Sequence, residues 1–137
     1  MKYLLLAFLI TFAVMPVARG RAADWKSLPP KSAAELVKDA AELEAAVQRE
    51  PDNIELYIRL GFTYAKLEKA DDAQRAFENA VRLNPKRPIA QYMLGLIYEK
   101  KGETQKAITA WQACLENAVE ERLRETARKH LHYLKGS

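Results

Sequence analysis

The chain has 137 residues, enough for one compact domain. With 49% apolar and 29% charged residues it is neither disordered nor low in complexity, and a single cysteine rules out an intramolecular disulfide or a cysteine-rich zinc site. The net charge of +4 comes from basic residues scattered among acids, which argues against a nucleic-acid partner.

The N-terminus reads as an address. Lys2 precedes an uncharged, mostly apolar run from Tyr3 to Met15, Pro16 breaks it, and Ala18-Arg19-Gly20-Arg21-Ala22 offers small residues for cleavage. The run is short of the ~20 apolar residues that a membrane-spanning helix needs. Residues 1–22 are therefore expected to be a secretory signal, which places the mature chain in the periplasm or outside the cell. The alternative is an uncleaved anchor that leaves the chain tethered to the membrane and facing the periplasm. Residues 23–32, with Pro29-Pro30, read as a linker.

From there the pattern is helical. Ser32-Ala33-Ala34-Glu35 has the form of a capping box and opens a helix over Ala33 to Glu50, with Leu36, Val37, Ala40, Leu43, Ala46 and Val47 on one stripe. Pro51 stops it, and Asp52-Asn53 is expected to cap a second helix over Ile54 to Leu67. A third spans Asp71 to Leu83, where Asp71 and Asp72 suit a helix N-terminus. Asn84-Pro85 ends it. A fourth runs from Pro88 to Lys101 and closes at Gly102, and a fifth covers Thr104 to Asn117. The last is expected over Val119 to Leu134, its stripe being Val119, Leu123, Ala127, Leu131 and Leu134. No segment alternates like a strand, so the fold class is all-α.

Residues 54–87 slide onto 88–121 with a period of 34 residues. Leu60/Leu94, Gly61/Gly95, Tyr64/Tyr98, Lys66/Lys100, Ala73/Ala107 and Ala76/Ala110 are identical, and Phe77 meets Trp111. Two helices in a period of that length are the mark of a solenoid. Leu60-Gly61-x-x-Tyr64, Ala73, Phe77, Ala80 and Pro85, with Leu94-Gly95-x-x-Tyr98, Ala107 and Trp111, resemble the tetratricopeptide repeat family. Cys114 replaces the family's small alanine, Val119 its proline, and Gln91 its large residue. Residues 33–51 look like the second helix of a degenerate preceding repeat, with Asp39 where alanine is usual. The resemblance implies a right-handed α-solenoid of about two and a half repeats: a half repeat over 33–51, repeats over 54–87 and 88–121, and a capping helix over 119–135. The glycines are expected to admit a neighbouring helix, the two aromatic rings to fill the gap between hairpins, and Cys114 to be a buried, inert thiol.

In such a stack the first helix of each repeat lines the concave side. Helical spacing puts Ile58, Arg59, Phe62 and Lys66 there from one repeat and Tyr92, Leu96 and Lys100 from the next. An apolar strip edged with cations suits a peptide or an amphipathic helix of another exported or envelope protein. The clamp that some relatives use for a terminal carboxylate is not matched, since Ile58 and Phe62 stand at its positions. His130 and His132 point to different faces, and no phosphate loop, metal pair or nucleophile elbow occurs, so neither catalysis nor a cofactor is expected. The expected function is a protein-interaction adaptor of the cell envelope acting in assembly. A self-associating structural protein and a membrane-tethered scaffold are the alternatives.

Overall fold

A computed structural model describes residues 29–136, and the signal-like segment and most of the linker lie outside the described residues. The helices are α1 (Ala33–Arg49), α2 (Ile54–Lys66), α3 (Ala70–Leu83), α4 (Pro88–Lys100), α5 (Thr104–Asn117) and α6 (Glu121–Lys135), and the described residues contain no strand. Each helix packs on the next in sequence, so the architecture is an α-solenoid of stacked hairpins.

Local chemistry sets the helix ends. The Ser32 hydroxyl accepts from the Glu35 amide at 3.2 Å while the Glu35 carboxylate accepts from the Ser32 amide at 2.7 Å, which completes the expected capping box. The bond from the Ser32 backbone amide is the main reason the Glu35 carboxyl is held below its usual range. Asn53 precedes α2 but does not cap it with its side chain, which donates instead to Glu50 at 2.8 Å. The turns after α2 and α4 pass through left-handed backbone, at Gly102 (φ 74°) and at its counterpart one period earlier, Glu68 (φ 58°). Glycine takes that conformation without steric cost; Glu68 takes it against its Cβ.

Val119 is a correction. It is 95% exposed and outside any helix, because Ala118 and Glu120 hold extended backbone (ψ 127° and 122°) and delay α6 to Glu121. Ala118 is the residue that is buried there. Arg124 reaches back from α6 and donates to the carbonyls of Leu115 and Ala118, tying α6 to the end of α5.

The core is built on aromatic rings against glycines. Phe77 and Trp111 are fully buried. A Cβ added to Gly61 would lie 2.7 Å from the Phe77 ring, and one added to Gly95 would lie 2.6 Å from the Trp111 indole. Each missing side chain is thus filled by a ring of the same hairpin, rather than by a ring lodged only between hairpins. Phe62 meets Phe77 edge-on at 5.3 Å, and Tyr92 meets Trp111 in the same way.

A second set of contacts ties one hairpin to the next. The Tyr64 hydroxyl bonds Glu44 of α1, and one period later the Tyr98 hydroxyl donates to Glu78 of α3 at 2.8 Å. Because Glu44 and Glu78 are also one period apart, α1 occupies the same place relative to α2 that α3 occupies relative to α4. It is the second helix of a half repeat. Burial, and then the Glu78 carboxylate, push the Tyr98 phenol well above the usual tyrosine range.

Candidate functional site

The seven wall residues expected from helical spacing fall into three groups. Arg59, Lys66 and Lys100 are exposed, and Leu96 is half-buried. Phe62 and Tyr92 are half-buried because their rings brace Phe77 and Trp111. Ile58 is only 6% exposed and joins the core cluster that holds Phe77, Ala90 and Leu94. A single-helix projection leaves it on the open side; packing of the next helix covers it.

Among the open clefts of the described residues, two lie where Tyr64 and Tyr98 bridge successive hairpins, and three others form a row along the edge that carries the exposed wall residues. The first, of about 380 Å³, lies between α1 and α2 and includes Leu36, Asp39, Leu43, Arg59, Thr63 and Lys66. The second, of about 270 Å³, is where α4 meets the α2–α3 hairpin, with Ala65, Glu68, Ala73, Leu96, Ile97 and Lys100. The third, of about 580 Å³, is where α6 meets the α4–α5 hairpin, with Leu96, Glu99, Lys100, Thr104, Tyr133 and Leu134. The clefts correspond through the 34-residue period: Thr63 and Lys66 in the first match Ile97 and Lys100 in the second, and Ala70 beside the second matches Thr104 in the third. One edge of the stack therefore presents the same hollow three times. Tyr133, 71% exposed, and Leu134 bring α6 into this surface, although helical spacing on the two repeats alone does not include them.

Beneath the third cleft, three helices meet on one carboxylate. Glu99 of α4 accepts from the Trp111 indole N–H of α5 at 2.5 Å and lies 2.7 Å from His130 Nδ1 of α6. A carboxylate only accepts, so His130 carries its proton on Nδ1. The His130 ring stacks on Trp111, 4.2 Å between centroids and 17° from parallel. His130 is thus a packed residue that docks the last helix. The same contacts draw Glu99 away from the open surface. Cys114 is fully buried, and burial pushes its thiol up, which keeps it protonated and unreactive.

A family model described as a tetratricopeptide repeat matches residues 58–116. Residues 58–116 thus match the tetratricopeptide repeat in sequence as well as in fold. The same repeats are shared with larger proteins. The chain is 33% identical over 70 residues to the BBSome complex member BBS4 of Bos taurus and 32% identical over 79 residues to the peroxisomal targeting signal receptor of Saccharomyces cerevisiae. It is 46% identical over 48 residues to the cytochrome c-type biogenesis protein CycH of Pseudomonas aeruginosa. These matches take in 51%, 58% and 35% of this chain but only 14%, 13% and 12% of the respective relatives. Among solved structures, one titled MamA MSR-1 C2 superposes with a TM-score of 0.52 at 21% identity, covering 74% of this chain and 67% of that one. That likeness shows the tetratricopeptide solenoid as a fold. Repeats of this family mediate protein–protein interaction.

Proposed function

We propose that the chain is an adaptor of the cell envelope that holds a peptide or helix of another exported protein and acts in assembling a larger complex. The row of clefts carries this reading. Hairpin packing consumes Ile58, while the half-buried Leu96, packed against the core, still lines the second and third hollows, and three exposed cations and Tyr133 line the row with it. Such a surface suits a guest. The envelope setting is supported by the charged, apolar and small-residue order of residues 1–22. A role in assembly is supported by the likeness to a segment of a protein named for cytochrome c-type biogenesis. No catalytic step is assigned to any residue.

The test is site-specific photo-crosslinking in cells that export the full chain. A crosslinker in place of Leu96 is expected to give a discrete adduct with an envelope protein, and one in place of the exposed Arg82, which lines none of the clefts, is expected to give none. Equal labelling from both positions, or none from Leu96, rejects the adaptor reading. Sequencing the N-terminus of the recovered protein decides between a cleaved chain, beginning near Arg21, and a tethered one that keeps Met1.

A further inference from the structure

Four acids and four bases line the three clefts, but they are not used alike. Asp39 pairs with Lys31 at 2.5 Å, Glu42 lies 3.9 Å from Lys38, and Glu99 is taken by Trp111 and His130. Glu68, in its left-handed turn, is the one left over. On the same wall, Glu55 is held by Arg87. The cations behave differently. Arg59, Lys66 and Lys100 are exposed, and among the described residues none of them has an ion pair or side-chain hydrogen bond. Elsewhere on the array many basic side chains are matched: Arg75, Arg87, Lys101, Lys106, Arg128 and Lys129 all sit beside carboxylates. The folded chain thus occupies most of the acids at its clefts and, of the bases there, only Lys31.

We infer that the guest is an extended acidic segment lying across α2, α4 and α6, its carboxylates meeting Lys66 and Lys100 in successive clefts and Arg59 at the first. This rests on the adaptor reading and names the chemistry of the partner. The spacing supports an extended guest. Lys66 and Lys100 occupy the same position one period apart on α2 and α4, which both line the second cleft. An extended chain advances about 3.3 Å per residue, so acids a few residues apart along one guest span from one helix to the other. Beside Lys100, Leu96 gives an apolar contact shared by the second and third clefts, and Tyr133 lines the third. The guest is therefore acidic with an apolar residue next to one of its charges. It needs no free C-terminus, since the contacts are made by side chains along its length.

The experiment selects peptides from a displayed random library on the purified chain (residues 23–137) and then measures binding of the enriched peptides. Enriched sequences are expected to carry a net negative charge, with acids recurring a few residues apart. Lys66→Glu with Lys100→Glu is expected to weaken them by about tenfold or more, while Lys86→Glu with Arg122→Glu, away from the clefts, leaves affinity unchanged. Circular dichroism confirms that both pairs of variants remain folded. Enrichment without an acidic bias, in peptides that still depend on Leu96 and Tyr133, overturns the charge assignment and keeps the groove. Peptides indifferent to Leu96→Ala and Tyr133→Ala, or no enrichment at all, overturn the groove reading together with this one.

Discussion

Gly95 shows how little freedom the packed positions have. Its missing side chain is filled by the indole of a fully buried tryptophan, which is itself held by Glu99, Tyr92 and His130. Gly95→Ala gains helix propensity worth about 1 kcal/mol but forces the ring out of place, a larger cost for an overpacked core. The expected outcome is a net loss of ~2 kcal/mol, measured by urea unfolding. At Tyr98 the phenol's titration is raised by burial and by Glu78. An acid that the fold keeps neutral contributes its full stability below its unfolded pKa, and that contribution is lost as the pH rises toward the folded value. Alkaline titration is thus expected to destabilise the chain above the usual tyrosine range, and Tyr98→Phe is expected to flatten that part of the stability profile. A wild-type profile that stays flat there would contradict the assignment. The sequence already marked both residues, because the period repeats them. It could not show what fills the glycine or which acid meets the phenol.

At the scale of helices, five of the six began within a residue of where pattern and capping chemistry put them. The exception, α6, has a simple cause. An apolar Val119 at helical spacing looks like part of the stripe, yet extended backbone from Ala118 to Glu120 leaves it in solvent. The docking of α6 was equally hidden, since Glu99, Trp111 and His130 lie 12 and 31 residues apart in pairs and no local pattern joins them. Their geometry makes His130 the contact that fastens the last helix. His130→Ala removes a stacked pair worth ~1 kcal/mol and leaves Glu99 with one partner fewer. The expected result is a stability loss of about 1–2 kcal/mol together with a red shift of tryptophan emission, as water reaches Trp111. Ile58 teaches the opposite lesson to Val119: one helix considered alone exposes it, and the neighbouring helix buries it.

At the scale of the molecule, the two ends differ from the middle in a consistent way. On α1, Asp39 and Glu42 replace the alanines that α3 and α5 present to their hairpin partners (Ala73 and Ala76, Ala107 and Ala110). On α6, Glu125, Arg128, Lys129 and His132 stand where α4 has Gln91, Leu94, Gly95 and Tyr98. Bulk and charge at those positions oppose a further helix at either end. The expected outcome is that the chain lacking residues 1–22 sediments as a monomer at micromolar concentration, and a concentration-dependent dimer would favour the self-associating alternative. The ends were legible in the sequence once the period was known. The clefts were legible only in part: spacing found the cations and Leu96, but their grouping into three equivalent hollows depends on how the hairpins stack.

Polar ends also turn the array into a ruler. With growth opposed on both sides, a row of three hollows sets the longest stretch of guest that can be gripped. Lengthening a bound peptide beyond that reach brings no new contact. Tight attachment must then come from presenting several such segments at once, and a lone segment will come and go quickly.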